Sequence, residues 1–157
     1  MKKHWKKGRG KLGFLQPLLG NWAAETDSPM GPLRCTRTFA TALGGAYIRL
    51  EARWLFGEAA KAGSSSGGYQ ELALIGVGSD GNVCFWSFTS DGKNSHGSVA
   101  DVTDLHPEAI GFEAQMPAGL ARMAYWPDED GTGFYWVVES KSKKGWRRFT
   151  QHHYRPI

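Results

Sequence analysis

The sequence predicts an all-β protein: a single closed, antiparallel, up-and-down β-barrel of roughly ten strands, entered through a short N-terminal helical turn. Three observations predict it. The 157 residues include 21 Gly beside 8 Phe, 7 Trp and 5 Tyr, a composition of many turns between ring-bearing segments. Turn signals recur at short intervals along the chain. The stretch Ala46 to Phe56 alternates with a period of two, with Ile48, Leu50, Ala52, Trp54 and Phe56 on one face and Arg49, Glu51 and Arg53 on the other. A chain of this length sustains one hydrophobic core, hence one domain. Hairpin-joined strands leave sheet edges exposed unless the sheet closes, which favours a barrel over the two-sheet sandwich that the same pattern also fits.

The elements follow in order. Lys2, Lys3, Lys6, Lys7, Arg9 and Lys11 crowd the first eleven residues with no acid among them. Removing those six cations from the net charge of +4 leaves −2 for the remainder, so the basic character belongs to a flexible tail, 1–11, ahead of a barrel domain, 12–157. Leu12 to Leu19 is interrupted by Gly13, Gln16 and Pro17, which argues against an export signal, and Lys11 to Leu18 reads as the helical turn. Strands are expected at Gly20 to Asp27, Leu33 to Thr41, Ala46 to Phe56, Tyr69 to Val77, Val83 to Thr89, Ser95 to Val102, Ala109 to Gln115, Leu120 to Trp126, Phe134 to Ser140 and Trp146 to Tyr154. Between them stand Gly44-Gly45, the glycine- and serine-rich run Gly57 to Gly68, Ser79 to Asn82, Ser90 to Lys93, Pro127 to Gly133, and Ser142 to Gly145; the two Asp-Gly pairs suit tight hairpins. No run approaches the ~18 apolar residues of a membrane helix. Cys35 and Cys84 fall within strands and read as buried thiols, which fits a reducing cytoplasm.

Leu18-Leu19-Gly20-Asn21-Trp22 resembles the Gly-x-Trp signature that opens the first strand of calycin (lipocalin-like) barrels, where the ring packs across the closed end. The turn in Leu43-Gly44-Gly45-Ala46-Tyr47, the long strand after it and the Asp-Gly hairpins are similar to an uncharacterised bacterial group of such domains, over about Leu18 to Arg155. The resemblance implies a ligand-binding barrel. Fatty-acid-binding relatives hold a carboxylate with an Arg-x-Tyr pair on the last strand; here His152-His153-Tyr154 stands there, with His152 in the arginine's place. Nitrobindin-type relatives share the opening and bind haem through a histidine near the chain's end, but their glycine-rich run after the opening is replaced by Ala23-Ala24-Glu25-Thr26-Asp27.

The candidate site follows from strand alternation. Trp22, Ile48, Leu50, Trp54, Trp86 and Trp136 are candidates to line the lumen, although in a small barrel such side chains also serve simply to fill the core, and Phe85 competes with Trp86 for the inward position. On the last strand Trp146, Arg148, Thr150, His152 and Tyr154 share one face, and Arg148, His152 and Tyr154 could orient an anionic head group. A small hydrophobic or amphipathic ligand is the expected partner, with no membrane partner, no metal and no cofactor.

Other signals dissolve when their chemistry is required in full. Gly76 to Gly81 spells a dinucleotide-binding pattern, but Asn82 to Trp86 continues as a strand where a helix N-terminus is needed. Asp128-Glu129-Asp130-Gly131 lacks the remaining positions of a calcium loop. Ser95, His96, Asp101 and Asp104 have no nucleophile elbow around them, so the balance is against an enzyme. Lys141 to Arg148 mixes cations and rings, yet Thr132 stands where an RNA-recognition signature needs a cation and the body is net acidic, which argues against nucleic acid. Two alternatives remain open: a haem, redox or enzymatic barrel using His96, His152 or His153, and a structural or partner-binding barrel acting through its basic tail.

Overall fold

The computed structural model describes residues 5–29, 31–62 and 68–157. Ten strands run in chain order: β1 (Gly20–Ser28), β2 (Gly31–Ala42), β3 (Tyr47–Phe56), β4 (Tyr69–Val77), β5 (Val83–Thr89), β6 (Asn94–Ala100), β7 (Ile110–Met116), β8 (Gly119–Pro127), β9 (Phe134–Ser142) and β10 (Gly145–Pro156). Each pairs antiparallel with its chain neighbour, and β1 pairs with β10, so the sheet closes as an up-and-down barrel. Closure decides against the sandwich. It is also the weakest joint, because β1 and β10 share only Trp22 with Pro156 and Ala23 with Arg155, supplemented by the Ile157 amide donating to the Asn21 carbonyl at 3.0 Å. One element departs from the sequence expectation: the glycine- and serine-rich run opens with a short helix, α1 (Glu58–Ala62).

One end of the barrel is shut by chain. A 3-10 turn, Gly13–Leu18, lays Leu15 and Leu18 across that end, where both are fully buried. Gly13 makes the approach possible, since a Cβ there would lie 2.2 Å from the Gly8 carbonyl oxygen. The indole of Trp22 donates to the Leu18 carbonyl at 2.8 Å and sets its edge on Phe134 at 4.8 Å between ring centroids. Of the basic stretch Met1 to Lys11, residues 1–4 lie outside the described residues. In the remainder Trp5 is buried 6.4 Å from the Phe134 ring and donates to the Glu108 carbonyl, and the Lys11 ammonium donates to the Gly81 carbonyl at 2.8 Å.

The inward rows of the strands carry the core: Ala24, Cys35, Phe39, Ile48, Leu50, Ala73, Ile75, Val83, Phe85, Ile110, Phe112, Tyr125, Phe134 and Trp136 form one cluster. Gly97 on β6 lets Phe85 cross the wall, because a Cβ there would meet that ring at 2.4 Å. Outside the wall of β8 and β9, the segment from Val102 to Ala109 covers Ala124 and Val137 as a second small cluster. Both cysteines are buried free thiols, and burial pushes Cys35 up to about 12. Gly76 to Gly81 ends β4 and turns into β5, with Asp80 accepting from the Asn82 amide, a hairpin with no helix to receive a pyrophosphate. Among the described residues no helix is long and apolar enough to cross a membrane.

Candidate ligand-binding site

At the end opposite the 3-10 turn the lumen is open. A cavity of about 560 Å³ enters there, walled by Trp54, Phe85, Phe112, Met123, Trp136 and Val138, with Glu71 among its few polar groups. Small residues, Ala114 and Ala121, face the rings from β7 and β8 and leave the space between them unfilled. A groove of about 510 Å³ over β3, β4 and β5 differs in kind: threonines, glutamates and Arg53 line much of it. The lumen is the hollow with the ring-rich wall and limited polar lining that small-molecule sites share.

Beneath the cavity lies a buried cation. Arg37, on the inner face of β2, is 1 % exposed and no carboxylate lies within ion-pair distance of it among the described residues. Four rings replace the counter-ion: the guanidinium carbon sits 4.1 Å from the Trp136 ring centre, 5.6 Å from Trp54, 5.8 Å from Tyr125 and 5.6 Å from Tyr154. Nε donates to the Tyr154 hydroxyl and Nη1 to the Tyr125 hydroxyl, each at 3.2 Å. Burial works against the charge, but the fields of Tyr125, Tyr154 and Glu71 outweigh it and leave the pKa raised, so Arg37 is permanently charged. Burial likewise pushes the Tyr125 phenol up to about 12 and raises that of Tyr154.

His152 completes this layer. Its ring lies 5.2 Å from Trp136, and burial followed by the Arg37 charge pushes its pKa down to about 4, so it is neutral at pH 7. It does not reach the cavity wall. Instead His152 and His153 flank a hollow of about 300 Å³ at the seam, where β1 and β10 part below Ala23. His153 points outward, stacks on Tyr135 and bonds the buried Asp128 at 2.8 Å.

The structure therefore gathers Trp54 and Trp136 on the cavity, with Tyr154 and His152 behind them. Ile48 and Leu50 are packed deeper in the core, and Trp22 belongs to the closed end. Two candidates stand elsewhere. Phe85 takes the inward position, and Trp86 lies on the outer wall between Tyr47 and His96. Arg148 also faces outward, against Glu139 at 2.9 Å and Trp126 at 5.7 Å. The shared face expected for the last strand is broken by a bulge between Arg148 and Thr150, which inserts Phe149 and reverses the parity of everything before it. Trp146 and Arg148 thus sit outside with Glu139 and Lys141, while Thr150, His152 and Tyr154 sit inside opposite Val138, Trp136 and Phe134. The same outer surface holds a charge cluster, in which Arg122 joins Glu139 and bidentate Asp104 under the Trp146 ring.

The residues that strand periodicity did not single out are Arg37 and Glu71. The alternation of Cys35, Arg37 and Phe39 is legible in the sequence, and it places the arginine on an apolar row.

Compared with protein-family models and with curated proteins, the chain matches none. The closed antiparallel barrel is compatible with a calycin-like fold. Among the described residues no histidine lines the cavity, which removes the histidine-ligated haem that the nitrobindin resemblance implies from this part of the lumen. Among the described residues no group of three or more His, Cys, Asp and Glu is arranged to hold a metal ion.

Proposed function

We propose that this chain is a calycin-like binding barrel that holds one small, largely apolar molecule, with its body in the open-end cavity and a polar end, weakly anionic at most, directed toward Arg37. The observation that carries the reading is the unfilled, ring-walled space of about 560 Å³ at one end of a barrel whose other end is packed solid. Aromatic surface facing water is costly, at roughly 25 cal/mol per Å², so a ligand covering these walls gains that free energy on entry. The buried, permanently charged Arg37 gives the lumen a fixed polarity, and two buried unpaired thiols suit a reducing compartment.

Titration with the neutral probe N-phenyl-1-naphthylamine tests the proposal. Saturable fluorescence enhancement at one probe per chain is expected, together with quenching of Trp54 and Trp136. Ala114→Phe, which places a ring inside the cavity, should abolish the enhancement while leaving the thermal midpoint within a few degrees. Enhancement that is absent, or that Ala114→Phe leaves unaltered, would overturn the reading.

A further inference from the structure

Arg37, Ala52 and Glu71 occupy one row across three neighbouring strands, since Arg37 pairs with Ala52 and Ala52 with Glu71. Strands lie about 4.8 Å apart, so the two charged residues rise roughly 10 Å from one another on the inner face with only a methyl group between them. Both have hydrogen-bonding capacity left over. Nε and Nη1 of Arg37 are taken by Tyr154 and Tyr125, and no bond among the described residues engages Nη2. Oε2 of Glu71 accepts from the Ser87 hydroxyl at 2.5 Å, and no bond among the described residues engages Oε1. Glu71 stands on the cavity wall, and Arg37 packs against Trp136 and Trp54, two of the rings that wall the same cavity.

Building on the cavity-binding reading, we infer that the polar end of the ligand is an uncharged group carrying an adjacent carbonyl and N–H, a primary amide or lactam, that accepts from Arg37 and donates to Glu71. Charge decides between the alternatives. The row already holds one charge of each sign. A carboxylate would satisfy Arg37 but stand against Glu71, and an ammonium would do the reverse, each adding an uncompensated charge to a buried space. An amide meets both groups through charge-assisted hydrogen bonds and adds no charge. A hydrocarbon end would leave a donor and an acceptor facing apolar atoms.

Three probes with one body, 2-naphthamide, 2-naphthoate and 2-methylnaphthalene, separate these cases by calorimetric titration at pH 7.5. The amide should bind about tenfold tighter than either of the others, the difference expected of one well-made charged hydrogen bond. In Glu71→Gln the like charge is gone, so the naphthoate should gain about tenfold and draw level with the amide. Naphthoate binding the native chain as tightly as the amide would overturn the inference in favour of a simple anion site. Equal binding of all three would overturn it, showing that the ligand's polar end does not meet Arg37 and Glu71. Failure of all three to bind would remove the cavity reading itself and this inference with it. Because the native chain alone yields these outcomes, the test survives a Glu71→Gln variant that does not fold.

Discussion

The two ends of the lumen are made of the same kinds of side chain and do opposite things. At the closed end Trp5, Trp22, Phe134, Leu15 and Leu18 interdigitate with nothing between them. At the open end Trp54, Phe85, Phe112 and Trp136 border empty space. The difference lies in what each set of rings faces. A crossing segment of chain fills the closed end, whereas at the open end the small residues Ala114 and Ala121 stand among the rings. Aromatic content alone therefore does not leave a lumen open. The position of small residues among the rings does.

Substitution at the two ends should separate them most sharply. Phe134 is fully enclosed by the rings of Trp5, Trp22, Tyr125 and Tyr154, so Phe134→Ala should cost about 4 kcal/mol in urea unfolding, by lost transfer energy and the void left behind. Trp54 is only half-buried against empty space, so Trp54→Ala should cost about 1 kcal/mol and weaken probe binding instead. Equal losses of stability at both positions would mean the open end is packed as tightly as the closed one.

The layer between the ends is probed by pH. His152 has a folded pKa of about 4, below its ordinary 6.5, because the charged form is disfavoured by burial and by Arg37. Between those values the unfolded chain binds the proton and the folded chain does not. The stability from a neutral His152 is thus fully present above about pH 6.5 and is lost as pH falls toward 4, by up to about 3 kcal/mol. Urea midpoints measured from pH 7.5 to 4 should fall more steeply for the native chain than for His152→Gln. Parallel curves would show that the imidazole is not held in this environment.

Much of this architecture can be read from residue order. The expected strands lie within one to two residues of the observed ones at most ends because period-two alternation and Asp-Gly hairpins are local signals, as at β4 and β5, and closure follows from the cost of free edges. Trp54 and Trp136 are also legible, each lying on an alternating row. Three things are not. Helix α1 lies in a glycine-rich stretch whose composition resembles a turn. Phe85 and Trp86 differ by one register step, which alternation cannot fix when both neighbours are rings. The cavity depends on which small residue stands opposite which ring, a matter of pairing across strands distant in sequence.

Arg148 shows the same gap at its narrowest, and it supplies the smallest expected effect. Uninterrupted alternation from Trp146 to Tyr154 would carry Arg148 into the lumen beside His152; one inserted residue at Phe149 carries it outside. There its guanidinium shares Glu139 with Arg122, whose contact with that carboxylate is 2.7 Å, and its side chain keeps 37 % of its surface in water. Arg148→Met therefore leaves Glu139 paired, and after discounting for solvent screening it should cost about 0.5 kcal/mol. Binding of the naphthyl probes should stay within about twofold of the native chain, since nothing in the cavity moves. A loss of tenfold or more in Arg148→Met would place this guanidinium at the ligand, and that requires a tenth strand without its bulge, with the inner and outer rows of β10 exchanged from Gly145 to Arg148.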